Sequence, residues 1–290
     1  MLLTNDFDAL LPDEEDVAQY RKSGYYVSKV LFPPEEIDKI LAASERFYRA
    51  EVDEPVPAGL ERYRPSGKYG PGLRKHDQSS MFSHQLRRLV THPVIGAIGA
   101  RLAATPSIRL WHDQLLYKPI ESPEKQSNVG WHTDRGYWKT CTSQNMVTAW
   151  VPFHDCDESM GTIVMVEGSH LWPDNTDGLN FFSNDLEGLE KQFITGGNPV
   201  IKTPINLLKG QISFHHCLTI HGSGPNHSPQ PRRSIAIHMQ DEANRYQEYR
   251  YPDGRLARHD NDTFCRKIGD YPDYTDPVFC PVLWPVAPAS

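Results

Sequence analysis

The chain has 290 residues, 38% of them hydrophobic, and 30 Lys and Arg against 37 Asp and Glu give a formal charge of −7. That length and apolar content suit one large domain with a proper buried core. The acidic balance argues against a protein that grips nucleic-acid phosphates, and no stretch reaches the ~18 apolar residues of a membrane helix, so a small-molecule substrate is expected, with neither nucleic acid nor membrane as partner.

In chain order, the acidic run Asp13-Glu14-Glu15-Asp16 sits where a helix N-terminus favours negative charge, and Gly24 marks the stop of a helix carrying Val17 and Tyr20. Tyr25 to Phe32 reads as a strand. Pro33-Pro34-Glu35-Glu36 opens a second helix, with Ile37, Ile40, Leu41, Ser44 and Phe47 at helical spacing. Residues 53–80 collect Pro55, Pro57, Gly59, Pro65, Gly67, Gly70, Pro71 and Gly72 together with Arg62, Tyr63, Arg64, Lys68, Arg74 and Lys75. They read as a long loop, either a lid over a pocket or a solvated connector. A third helix is predicted over 84–103, ending before Pro106.

From 107 to 240 the apolar period moves towards two. Strands are predicted at Ile108–Lys118, Met146–Phe153, Thr162–Val166, Gln211–Ile220 and Arg232–Gln240, separated by Gly, Pro, Asn and Asp. Helical patterns between them are scarce, so the sheet should be mainly antiparallel. The expected fold is mainly β with flanking α: a jelly roll or barrel with the N-terminal helices packed on one outer face. A helical preface (about 1–105), a jelly-roll core (about 106–240) and a wrapping arm (241–290) make one domain, without repeats or a linker. The N-terminus lacks the charged and apolar regions of a secretion signal, and the five cysteines are widely spaced with no CxxC. Reduced thiols and a cytoplasmic location are the expectation. The 24 prolines exclude a long helical bundle, and the 13 histidines pose a question that composition does not answer.

Two histidines have telling neighbours. In Gly130-Trp131-His132-Thr133-Asp134 an imidazole and a carboxylate lie two residues apart, and alternate side chains of a strand share a face. Further on, a strand reaches His221, a turn-rich segment follows, and Arg232 opens the next strand; adjacent strands about 5 Å apart would let His221 and Arg232 face one interior. His132, Asp134 and His221 together would form the two-histidine, one-carboxylate facial triad that suits non-haem Fe(II), because it leaves coordination positions open. Arg232 adds what a plain metal site does not require, a fixed cation able to pair bidentately with a carboxylate.

In this order of motifs, His-x-Asp, then His221-Gly222-Ser223-x-x-Asn226-x-Ser228, then an arginine eleven residues after that histidine, the sequence resembles the phytanoyl-CoA dioxygenase (PhyH-like) family of Fe(II)/2-oxoglutarate-dependent oxygenases. Supporting matches are Asp113 to Pro119, Thr148-Ala149-Trp150, and Gly161 to His170, over a span of roughly 15–240. The resemblance implies a double-stranded β-helix (jelly roll, cupin-like) with iron held by His132, Asp134 and His221. It also implies 2-oxoglutarate held by Arg232, with Trp150, Ser223 and Gln114 lining its pocket. The implied activity uses O2 and oxidatively decarboxylates the cosubstrate to succinate and CO2, with hydroxylation of a small metabolite or natural-product intermediate as the default outcome. Desaturation, cyclisation or demethylation would use the same cofactors. The carboxylate of Asp134 argues against halide transfer, since relatives with that activity lack this ligand.

The inward parity from Arg232 runs through Ser234, Ala236 and His238, with Ile235, Ile237 and Met239 on the other face, leaving room for a five-carbon diacid. Gln114 is preferred as a cosubstrate contact and Lys118 held in reserve. His215 and His216 read as core histidines, His227 as exposed and His170 as bonded to backbone; His238 follows the inward parity of Arg232 and reads as a satisfied core histidine, with a place at the pocket border as the alternative. Arg135, Tyr137, Trp138 and Lys75 are the candidate substrate residues. Two other classes remain open: a Zn or Mn jelly-roll enzyme, which would not need Arg232, and a non-catalytic jelly roll, which would bind its ligand without His132 or Asp134. Oligomeric state is not legible from these features.

Overall fold

The acidic run at 13–16 builds the helix start that its charges predict. In α1 (Glu14–Ser23) the Asp13 side chain accepts the Asp16 N–H at 2.9 Å and the Asp16 side chain accepts the Asp13 N–H at 3.1 Å. Gly24 ends the helix at φ +85°, a conformation that costs glycine little. The computed structural model describes residues 8–55, 59–123, 127–173, 178–194 and 197–285. Pro57 and the last five residues of the arm lie outside these.

After β1 (Tyr25–Val27), shorter than the strand predicted over 25–32, α2 (Pro34–Tyr48) buries Ile37, Ile40, Ser44 and Phe47. The stretch 53–80 is not wholly a loop, because β2 (Arg74–Asp77) adds to the sheet. The single helix predicted over 84–103 is two, α3 (His84–Val90) and α4 (Pro93–Leu102). Pro93 holds His92 in an extended conformation (φ −70°, ψ 127°), which ends one helix and starts the other.

The β core follows as β3 (Ile108–Lys118), β4 (Val129–His132), β5 (Val147–Pro152), β6 (Val164–Val166), β7 (Lys202–Pro204), β8 (Ser213–His216), β9 (His221–Ser223) and β10 (Arg232–Asp241), with α5 (Leu186–Ile194) between β6 and β7. The arm contributes α6 (Asp260–Phe264), β11 (Lys267–Ile268), β12 (Tyr271–Pro272) and β13 (Val282–Trp284). All pairings are antiparallel. One sheet runs β1-β8-β5-β10-β3-β13 with β2 also on β3, and the facing sheet runs β4-β9-β6-β7. This is the jelly roll, mainly β with flanking helices.

Strand alternation decides where the core sits. Ile235, Ile237 and Met239 face outward from β10 and are fully buried beneath α4, with Ile95 and Ile98, in the main apolar cluster. The opposite face of β10, carrying Arg232, Ser234, Ala236 and His238, looks into the roll. Gly99 lets α4 lie close, since a Cβ there would meet Met239 at 2.8 Å. One expectation is corrected here. The strand predicted over 211–220 breaks into β8 and β9, which belong to different sheets, so His221 and Arg232 face each other across the roll rather than along paired strands. All five cysteines are buried and unpaired, as expected of reduced thiols. Among the described residues no helix is long and apolar enough to cross a membrane.

Several histidines outside the roll have an energetic consequence. Burial holds His92 and His154 down to about 4 and His216 to about 3, against 6.5 for a free imidazole. The unfolded chain takes up protons near pH 6.5 that the folded chain refuses, so the stability these residues contribute is lost as pH falls from 6.5 through 4. Thermal melts at stepped pH should show Tm dropping across that window, and a flat Tm would contradict the assignment.

Candidate active site

β4 and β9 are paired, with His132 directly opposite His221, and their rings lie 4.1 Å apart between centroids. Both strands carry a glycine where the chain is crowded. At Gly130 a Cβ would sit 2.0 Å from the Asn180 carbonyl, so only glycine lets the 180–183 segment cross β4 beside the site. β4 ends at His132. Thr133 continues extended (φ −117°, ψ 142°) and Asp134 begins a 3₁₀ turn, so Asp134 is not on a strand, yet the extended Thr133 turns its carboxylate to the side of His132.

Both imidazoles have their tautomer set by the main chain. Nδ1 of His132 bonds the Gly130 carbonyl at 2.8 Å, and Nδ1 of His221 bonds the Thr219 carbonyl at 2.9 Å. Carbonyls only accept, so each Nδ1 carries the proton and each Nε2 keeps its lone pair. The two Nε2 atoms each lie 3.8 Å from Asp134 Oδ1, and the three side chains are buried. Burial lowers the pKa of both imidazoles, keeping them neutral. For Asp134 burial acts upward, but His238, His215 and His221 around it outweigh this and hold the carboxyl well below the usual carboxylate range. Two neutral nitrogens and one carboxylate oxygen, within 4.8 Å of one another, are a donor set fit for a divalent metal.

The other carboxylate oxygen is held from below. Asp134 Oδ2 accepts the Thr148 hydroxyl and the His215 Nε2–H at 3.2 Å. His215 was expected to be a core histidine; it is buried, but it touches the carboxylate and lines the cavity. A signal for it existed in β8, where Ser213 and His215 form a polar face opposite the apolar Ile212 and Phe214.

Beside the trio is a cavity whose lining includes Gln114, Trp150, Ser223 and Arg232. Arg232 is 2% exposed, lies 5.2 Å over the Trp150 ring, and donates Nη1 to the Gly161 carbonyl. Its buried Nε has no partner, and among the described residues no carboxylate pairs with it. Lys118 is register partner to Arg232 and donates Nζ to Ser223 Oγ at 2.7 Å and to the Gly224 carbonyl. Burial, then Arg232, pushes its pKa well down. A buried guanidinium with an orphaned N–H, in the wall of this cavity, fits a carboxylate.

A wider cavity adjoins the first, sharing His132 and Asp134, and Lys75, Tyr137 and Trp138 are in its wall. Lys75 reaches both oxygens of Asp77, at 2.9 and 2.8 Å. The Tyr137 hydroxyl accepts the Phe181 N–H at 2.8 Å. Arg135, expected as a substrate residue, is placed away from both cavities. Its guanidinium donates to the carbonyls of Ser143, Trp138 and Cys141, bracing its own loop, and it lines neither cavity. His112, His259 and Asp260, not singled out in the sequence, are in the wall instead. His238, read as a core residue, lines both cavities. His227 is exposed and His170 bonds the Arg21 carbonyl, as expected.

Known proteins resemble this chain in sequence and fold. The bovine (Bos taurus) protein named phytanoyl-CoA dioxygenase, peroxisomal, is 27% identical over 235 residues, which are 77% of this chain and 66% of that protein. The chain thus spans about two thirds of the length of that mammalian relative. The ectoine dioxygenase of Bordetella bronchiseptica is 25% identical, over 79% of this chain and 74% of its own length. Among solved structures, the epimerase SnoN, in complex with Fe3+, alpha ketoglutarate and nogalamycin RO, superposes with a TM-score of 0.62 at 25% identity, covering 81% of this chain and 85% of that one. The family model of phytanoyl-CoA dioxygenase (PhyH) matches residues 20–234, and the chain belongs to that family.

Proposed function

We propose that this protein is an Fe(II)- and 2-oxoglutarate-dependent oxygenase that hydroxylates a small-molecule metabolite or natural-product intermediate, releasing succinate and CO2. The observation that carries the reading is one cavity joining a His-Asp-His set with both Nε2 atoms free to a buried arginine lacking any carboxylate partner. A zinc or manganese jelly roll would need only the first of these, and a non-catalytic binding jelly roll neither.

In this reading His132, Asp134 and His221 hold the iron, and Arg232 pairs with the distal carboxylate of 2-oxoglutarate. Ser223, Gln114 and Trp150 shape the cosubstrate cavity. Together the bound iron and cosubstrate supply the oxidising power, drawn from O2, to break a C–H bond. The chain's own contribution is orientation: Thr148 and His215 fix the Asp134 carboxylate, and the two backbone carbonyls fix the imidazoles. A second reading keeps the cofactors and changes the outcome to desaturation, cyclisation or demethylation. It draws on SnoN, an epimerase with this fold. The cytoplasm is the compartment we propose.

Succinate formation is the test. It should require Fe(II), 2-oxoglutarate and O2 together and rise when a substrate from a metabolite panel is present; its absence under every condition would overturn the reading. A further expected outcome concerns His215. Replacing it with Ala should weaken Fe(II) affinity by about 10–100-fold, the usual cost of losing a partner that orients a metal ligand. Competition against a coloured chelator measures this, and an unchanged affinity would show that His215 only packs.

A further inference from the structure

His112 and His238 are register partners on β3 and β10, and their rings lie 4.4 Å apart at the floor of the wider cavity. Both are buried, at 4% and 2% exposure, and the Nε2 of each has no hydrogen-bond partner in the protein. Buried polar atoms are ordinarily satisfied, so two orphans in the wall of one cavity point to a ligand that completes them.

Hydrogen-bond logic fixes which partner His238 needs. Thr148 has one hydroxyl proton, and it goes to Asp134 Oδ2, where a carboxylate can only accept. The contact of 2.8 Å between Thr148 Oγ1 and His238 Nδ1 must then run from His238 Nδ1–H to the hydroxyl oxygen. The ring packs against the His112 imidazole and, at 4.9 Å, against Trp138, and its Nδ1 lies 3.6 Å from Asp134 Oδ2. In the neutral ring with its proton on Nδ1, the Nε2 of His238 is a bare acceptor. It seeks an O–H or N–H.

We propose that His238 binds the substrate, accepting through Nε2 a hydrogen bond from a hydroxyl or amine group, and that the substrate is therefore a polar metabolite carrying such a donor close to the carbon oxidised. The inference rests on the oxygenase reading above and names its substrate class. The rest of the wall agrees, for Lys75, Asp77, Gln78, Arg258 and Asp260 line the same cavity and form a polar rim. An acyl chain seated there would leave the Nε2 atoms of His112 and His238 buried and unpaired, a cost of about 10-fold or more in affinity for each.

The test uses the full-length enzyme loaded anaerobically with Fe(II) and 2-oxoglutarate, followed by succinate release against three groups of compounds. These are polyols and amino alcohols, their O- or N-methylated analogues with the donor blocked, and straight- and branched-chain acyl-CoA thioesters. Donor-bearing compounds should stimulate succinate release, with the blocked analogue of the best one weaker by about 10-fold or more in kcat/KM. His238→Asn, which can still donate to Thr148 but has no acceptor at the Nε2 position, should raise KM for the parent compound and erase its advantage over the blocked analogue. His238→Gln, which can place an amide oxygen near that position, should restore part of the discrimination. A purely structural role for His238 would slow parent and analogue alike. Stimulation by acyl-CoA alone, or equal use of parent and blocked analogue by the wild type, would overturn the substrate class while leaving the oxygenase reading intact. Failure of the wild type to bind Fe(II) and 2-oxoglutarate would overturn both.

Discussion

Asp134→Ala should abolish Fe(II)-dependent succinate formation, with a loss well beyond the roughly 10–100-fold expected for an outer partner such as His215. Asp134 Oδ1 is the one anionic donor of the trio, 3.8 Å from each Nε2, and without it two neutral imidazoles remain to hold a dication. The substitution also frees Thr148 and His215, which now spend their hydrogen bonds on Oδ2. Those groups lie at the cavity edge, where water can replace the carboxylate, so the fold should survive. Metal content after gel filtration, read beside the circular dichroism spectrum, separates loss of iron from loss of structure. A folded variant that keeps stoichiometric iron and wild-type turnover would contradict the ligand assignment.

Arg232→Met should strongly weaken 2-oxoglutarate binding and leave the ligand-free protein at least as stable as the wild type. The guanidinium is buried without a carboxylate, beside a second buried amine, Lys118, and a buried unpaired charge is costly. Replacing it with an apolar side chain of similar length relieves that cost. Losing a buried charge-assisted pair is worth ~2–5 kcal/mol, so KM for 2-oxoglutarate should rise by about 30- to 4,000-fold. Arg232→Lys should recover little of this, because an ammonium cannot present the two parallel N–H donors of the guanidinium fork. Differential scanning fluorimetry provides the check. Saturating 2-oxoglutarate should raise Tm of the wild type, by linkage worth ~2.7 kcal/mol at 100 times Kd, and raise that of Arg232→Met by far less at the same concentration. An equal rise in both would place the cosubstrate elsewhere.

What the sequence made legible follows from alternation. On β10 a period of two separates Ile235, Ile237 and Met239, which pack under α4, from Arg232, Ala236 and His238, which line the cavities, and no tertiary knowledge is needed to see it. The His132–Asp134 spacing was equally readable, although it works through an extended Thr133 and a turn rather than a continuous strand. Misread features share a cause, which is dependence on distant chain. Residues 217–220, Cys-Leu-Thr-Ile, contain no Gly or Pro, so nothing local announces that β8 ends and β9 begins in the facing sheet. Arg135 carries a charge beside the site, but whether a guanidinium is free depends on the carbonyls around it, and its own loop supplies three. The wall residues His259 and Asp260 come from an arm more than a hundred residues beyond Asp134, brought in where Asp260 accepts from Arg62 and Tyr63.

The most direct measurement is an anaerobic titration of the purified protein with Fe(II) and then 2-oxoglutarate, followed by visible absorption. Chelation of iron by the keto acid produces a weak metal-to-ligand charge-transfer band. The wild type should develop that band and saturate near one equivalent per chain, Asp134→Ala should not develop it, and Arg232→Met should need far more 2-oxoglutarate to reach it. No band from folded wild-type protein, or a band of equal strength in Asp134→Ala, would contradict an iron centre built on His132, Asp134 and His221.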